Sequence, residues 1–206
     1  MVKTKIFTSK ENIIKVAFSL FLEKGYKEVT IKNIMEATGL SKGAIYHHFE
    51  SKEAIYFATI ETYYINLFQS EDLKLPEEDF IKNMEEVYLF AANLFSSIEK
   101  LTEEGLDFPI RNFYSFQLES ENNEIIREKI QFTVTDYRNI IKHIVVTAMK
   151  NKQIREDLDA EAITLQIIGI LEGVSINHST IRNNVKEILL EKYKLVFDEY
   201  FKMICI

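Results

Sequence analysis

One cysteine, Cys205, stands next to the end of the 206-residue sequence, so no internal disulfide can form and no cysteine-ligated metal site can be assembled. A reducing compartment is the expectation. There are only two prolines and six glycines, too few breaks for many short strands, and the apolar residues recur at three- and four-residue spacings rather than alternating. An all-α fold follows. The opening residues, MVKTKIFTSKEN, lack the apolar core of a secretory signal, and no run approaches eighteen consecutive apolar residues. A cytoplasmic protein with no membrane partner is expected. Catalytic arrangements are missing too. His143 and His178 have no serine, cysteine or paired carboxylate at a catalytic spacing, and no glycine-rich phosphate loop occurs. The expectation is a non-enzyme with no catalytic residue, no metal and no cofactor.

What is present is an ordinary globular composition, 47% hydrophobic and 28% charged, long enough for one or two domains and a sizeable core. The net charge of −7 hides a division. Residues 1–55 hold nine Lys and six Glu, a balance of +3, whereas residues 56–206 hold sixteen Lys and Arg against twenty-six acids, a balance of −10. One end can meet a polyanion and the other avoids it.

Thr8-Ser-Lys-Glu11 has capping-box spacing, and Ile13, Val16, Ala17, Leu20 and Phe21 follow at helical spacing, with Gly25 placed to end the helix. Thr30 precedes a second short amphipathic run that Gly39 can close. Ser41 then caps a third helix from about Lys42 to His48, and Ser51 a fourth carrying Ala54, Ile55, Ala58, Tyr63 and Leu67 on its inner side. Two short helices joined by a tight glycine turn make a helix-turn-helix unit. At about 100° per residue, Ile45 and Phe49 point inward together while Gly43 and His47 point away, with Ala44 and Tyr46 on the shoulders. That outer side is small, aromatic and basic, as a helix entering the major groove requires. Ser41 and Lys42 lie at its N-terminus, where free N–H groups and the dipole favour a phosphate. Adjacent histidines on a helix diverge, so His47 and His48 are not read as a metal pair.

The segment FLEKGYKEVTIKNIMEATGLSKGAIYHHFESKEAIY, within residues 9–56, closely resembles the DNA-binding domain of the tetracycline-repressor (TetR) family of transcriptional regulators. The GY, the VT before helix two, the TGLSKGAIY turn and helix, and HF-x-SKE occur in order at the family's spacing. Carried over position by position, the resemblance implies DNA contacts from Thr30, Ser41, Lys42, Gly43, Ala44, Tyr46, His47, His48 and Lys52. Residues 1–55 are then the DNA-binding domain and residues 56–206 an effector-binding and dimerisation domain.

In the acidic remainder, Pro76-Glu-Glu-Asp starts a helix reaching about Lys100, and Gly105 and Pro109 break it. A short helix follows through Phe113 and Phe116, then a long one capped by Asn122 or Asn123 and reaching Met149, and Asp159 caps the next. The last two helices are apolar on more than one side, which predicts that residues such as Ile167, Leu171, Val174, Tyr193, Phe197 and Tyr200 pack against a second copy in a four-helix bundle. Residues 56–150 carry fifteen of the twenty-five Phe and Tyr residues, a modest excess that core packing explains for most of them. The resemblance nevertheless implies an effector pocket there, and Tyr88, Asn112, Phe113, Phe116, Tyr137 and Glu172 are the expected lining. The fourth helix, following directly on the recognition helix, is the expected lever between the domains. The whole reads as a homodimer on a palindromic operator, a repressor released by a small apolar or amphipathic ligand. The rival reading is the same fold controlled by a protein partner or by no effector.

Overall fold

The computed structural model of the chain describes residues 9–68, 79–101, 105–120 and 123–206. Among these residues there are nine α-helices: α1 (Ser9–Lys24), α2 (Ile31–Thr38), α3 (Lys42–His48), α4 (Lys52–Thr59), α5 (Phe80–Glu99), α6 (Pro109–Ser120), α7 (Glu124–Lys150), α8 (Ala160–Asn177) and α9 (Val185–Ile204). The only β feature among them is an isolated antiparallel bridge between Ile154 and Cys205. Thr8, Pro76 and Asn122, expected at helix starts, lie outside the described residues.

Local signals place the helix ends. Thr30 accepts from Asn33 N–H at 3.2 Å while Asn33 Oδ1 accepts from Thr30 N–H at 2.8 Å, a closed capping box at the start of α2. Ser41, Ser51 and Asp159 accept from the N–H groups of Ala44, Ala54 and Ala162 and so cap α3, α4 and α8. Asn123 Oδ1 accepts from Ile125 and Ile126 N–H and does the same for α7. Gly39 ends α2 at φ +70°, a conformation in which a side chain is strained. Pro109, expected to break a helix, is the first residue of α6, where its missing N–H costs nothing. The fourth helix departs from the expectation of one continuous rod to Leu67. Its α-helical part stops at Thr59 and passes into a wider π turn (Ile60–Tyr64) and a tight 3-10 turn (Ile65–Phe68).

The chain divides into two compact units, one holding residues up to Leu67 with Tyr114–Ile130, the other Phe68–Phe113 with Gln131–Ile206. The first unit therefore runs past residue 55 and includes the end of α6 and the start of α7. Its core is Ile13, Ala17, Phe18, Phe21, Ile34, Ile45, Phe49, Ile55 and Tyr64, all buried. Phe18 stacks on Tyr63 at 5.2 Å, and Phe116 meets Phe18, Tyr56 and Tyr64 at 5.5–5.6 Å. Each such ring, taken out of water, stabilises the fold by about 1.5–3 kcal/mol.

In the second unit α9 packs on α5 and α8. Tyr88 stacks on Phe197 at 5.8 Å and Phe80 meets Phe201 at 5.3 Å. Tyr193 OH lies 2.6 Å from Ser175 Oγ, and Tyr200 OH donates to Gln166 at 2.6 Å. These contacts correct the expectation for the last two helices. Ile167, Leu171, Tyr193, Phe197 and Tyr200 are buried within the single chain and Val174 is half-buried, because α5 already covers the inner side of α9. The stripes left exposed are Leu165, Gly169 and Ile176 with half-buried Gly173 on α8, and Leu195, Val196 and Met203 on α9. By length and composition α8 is the one described helix that could cross a membrane, but its inner stripe and two side-chain hydrogen bonds tie it to α9.

Candidate nucleic-acid interface

Helix α3 fixes the site because its two inner residues are locked: Ile45 has no exposed surface and Phe49 is 7% exposed. Their partners across the helix, Gly43 and His47, are exposed together with Ser41, Lys42 and Tyr46, while Ala44 and His48 are half-buried. The helix has no acidic residue. Lys42 lies 5.7 Å from the Tyr46 ring one turn on, and the His47 and His48 rings meet edge to face at 5.1 Å. Among the described residues no group of three His, Cys, Asp or Glu side chains could hold a metal ion. The outer face of α3 can therefore offer cationic and neutral donors, with Ser41 O–H still free to donate while its oxygen caps the helix. Thr30 is exposed at the start of α2, but its hydroxyl is engaged with Asn33.

Lys52 is placed differently from the side chains on α3. Its ammonium donates to the carbonyls of Tyr26 at 2.8 Å and Val29 at 2.9 Å, and lies 4.1 Å from the centre of the Tyr26 ring. It pins the turn between α1 and α2 to the start of α4. With two of three N–H groups used inside the chain, one is left for a phosphate. The same turn is held from its other side by Glu119, which accepts from Tyr26 N–H at 2.7 Å. Ser120 spends its proton on the Phe116 carbonyl at 2.6 Å, so Tyr56 is the donor in the 2.7 Å Tyr56–Ser120 contact. Burial pushes the Tyr56 hydroxyl up to about 12, with Glu119 and Tyr26 adding to the shift and Ser120 opposing it. That group is a neutral donor at any physiological pH. Glu61 also pairs with Lys129. Glu119, Ser120 and Lys129 went unmarked in the sequence because nothing local ties α6 and α7 to residues so far upstream. Lys10, whose ammonium lies 5.7 Å from the Phe49 ring centre, is the cation beside α3 that only the fold reveals.

The residues expected to line an effector pocket each make contacts of their own. Tyr88 is packed between Tyr193 and Phe197, and its hydroxyl is pushed up to about 12 by burial first, then by Glu85 and Asp198. Phe113 meets Phe95 edge-on at 5.5 Å, Tyr137 stacks on Phe90 at 5.8 Å, and Asn112 donates to the Asp107 carbonyl at 2.8 Å. Phe116 belongs to the core of the first unit. Glu172 is exposed on the outer side of α8, its carboxyl raised by the protein around it. None of the six borders the surface groove of about 490 Å³ lined by Ile81, Leu195, Asp198, Glu199, Phe201, Lys202 and Cys205.

Two family models match the chain. Bacterial regulatory proteins of the tetR family match residues 13–59, and the tetracyclin repressor-like C-terminal domain matches residues 116–185, together more than half of the chain. The uncharacterised HTH-type regulator YerO of Bacillus subtilis is 46% identical over 70 residues, 34% of this chain and only 24% of that protein. The negative transcriptional regulator IcaR of the biofilm operon icaADBC in Staphylococcus aureus is 27% identical over 156 residues, 64% of this chain and 77% of that one. A TetR transcriptional regulator from Chloroflexus aurantiacus superposes with a TM-score of 0.67 at 25% identity, covering 96% of both chains. With an acid-free recognition helix set on a buried Ile45–Phe49 edge, and with both halves matched, this chain belongs to the TetR family of transcriptional regulators.

Proposed function

We propose that the protein is a homodimeric repressor that places two copies of α3 in successive major grooves of a palindromic operator and leaves it when a small apolar or amphipathic ligand binds. The observation that carries the reading is the outer face of α3: exposed Ser41, Lys42, Gly43, Tyr46 and His47, half-buried Ala44 and His48, and no carboxylate. Lys42, Ser41 and the last N–H of Lys52 take phosphates, with Thr30 beside them. Gly43 and Ala44 allow close approach, and Tyr46, His47 and His48 reach for bases and sugar–phosphate edges. IcaR is a negative transcriptional regulator, which supports repression here. The site of action is the cytoplasm, where the DNA is.

The dimer is formed by the outer stripes of α8 and α9. Gly169 and Gly173 support this, because a Cβ at either would meet nothing within 4 Å among the described residues. A helix-interior glycine costs about 1 kcal/mol relative to alanine, and a second helix approaching closely gives that cost a use. Ile167, Leu171, Val174, Tyr193, Phe197 and Tyr200 back this face from inside.

Release follows from α6 and α7, each of which gives residues to both units. A ligand that shifts α6 near Asn112 and Phe113 moves Glu119 and Ser120 along the same helix, and these hold Tyr26 and Tyr56 in the unit that carries α3. A ligand bound 100-fold more tightly by the released state supplies about 2.7 kcal/mol of coupling, and operator DNA must weaken that ligand by the same factor. The alternative, control by a protein partner or by no effector, is favoured by the ring contacts already made by Tyr88, Phe113, Phe116 and Tyr137. A panel of aromatic and amphipathic small molecules, titrated with and without bound operator, separates the two. Unequal affinities support the induced repressor; equal affinities for every binder leave the alternative.

A further inference from the structure

Three of the five arginines hold a carboxylate: Arg127 with Glu124 at 3.9 Å, Arg138 with Glu161, and Arg155 with Asp157 at 2.6 Å. Arg111, in the first turn of α6, and Arg182, in the loop before α9, do not. Among the described residues no carboxylate lies within ion-pair distance of either. Both guanidiniums instead lie against one ring, with Arg111 Cζ 4.1 Å and Arg182 Cζ 4.8 Å from the centre of Phe108. Two distant segments of a strongly acidic half of the chain thus bring two positive charges together. The ring attracts each cation through its face but neutralises neither. Both arginines are exposed, so their planar N–H forks remain open to solvent.

Phe108 holds this position at φ +54°, a left-handed conformation that bulky residues avoid. The surrounding hydrogen bonds over-determine it. Asn112 Nδ2 donates to the Asp107 carbonyl at 2.8 Å, Asn112 N–H to the Phe108 carbonyl at 3.0 Å, and Leu106 N–H to the Glu99 carbonyl at 2.8 Å. Strain kept in place by its neighbours marks a pre-arranged surface. The first turn of α6 carries no acid that would compete for the arginines, and the Asp107 carboxylate lies beyond ion-pair distance of both.

We propose that Arg111 and Arg182, gathered against Phe108, form a recognition site for an oxoanion, a carboxylate or a phosphate group, held by the guanidinium forks. Planar forks match the oxygen geometry of both anions, which a lysine ammonium does not. The site belongs to the second unit and does not depend on the release mechanism above.

The test is a titration of the full chain with inorganic phosphate, benzoate and phenyl phosphate at ionic strength fixed with chloride, followed by the Arg side-chain N–H resonances and by thermal midpoint. Saturable binding that shifts the Arg111 and Arg182 resonances is expected, about tenfold weaker in Arg111→Gln and in Arg182→Gln. Weakening is also expected in Arg182→Lys, and Arg127→Gln should behave as wild type. Tighter binding of the two organic anions would assign the anion to a small-molecule ligand, and equal binding to free phosphate. Non-saturable shifts, or the same response in wild type and both Gln variants, would overturn the proposal and leave the arginines as surface packing on Phe108.

Discussion

Lys52 and Lys42 both belong to the stretch that resembles a DNA-binding domain, yet their surroundings assign them different work. Lys42 is exposed, and its removal should cost only its share of phosphate attraction, a salt slope lower by about one and little change in stability. Lys52 ties two carbonyls of the α1–α2 turn, and charge-assisted hydrogen bonds of this kind contribute roughly 1.5–3 kcal/mol. Lys52→Ala should therefore lower the urea midpoint as well as the DNA affinity, whereas Lys42→Ala should lower the affinity alone. Equal stability of the two variants would show that the Lys52 contacts contribute nothing net. The sequence made Lys52 legible as a cation at a helix start. It could not show that Tyr26 and Val29, two helices upstream, present their carbonyls to it.

At the scale of elements, the caps were legible and the faces of α8 and α9 were not. Thr30, Ser41, Ser51 and Asp159 act on N–H groups three residues away, so sequence alone places them. A helix apolar on several sides has no single inner face to read, and α5 decides which stripe is covered. The break of the fourth helix at Ile60 had no glycine or proline to announce it. The exposed stripe carries its own prediction. Gly169→Leu adds bulk where a Cβ meets nothing within 4 Å among the described residues, so it should leave the monomer folded, with unchanged helical content, and shift sedimentation from dimer to monomer. A Gly169→Leu protein that sediments as wild type would move the dimer contact elsewhere.

Across the whole molecule, burial of tyrosine hydroxyls sets an alkaline limit. Tyr56, Tyr88, Tyr193 and Tyr200 are each pushed up to about 12 from an ordinary 10, chiefly by burial. The folded chain keeps these protons while the unfolded chain loses them, so the stability present below pH 10 is lost as pH rises from 10 through 12. Tyrosinate absorbance should lag behind that of free tyrosine and then rise together with the loss of helical circular dichroism. Tyr88, Tyr193 and Tyr200 titrating at 10 in a fully helical protein would contradict the packing of α9 on α5 and α8, and Tyr56 doing so would contradict its burial against Phe116 and Ser120. DNA reading is tested most directly by selection of binding sites from a pool of random duplexes by the wild-type protein. The expected result is an enriched inverted repeat whose half-sites are roughly one helical turn apart, about 34–36 Å, with base preference altered by His47→Ala. Recovery of no preferred sequence, or of a single half-site without symmetry, would contradict a dimer that reads an operator with paired α3 helices.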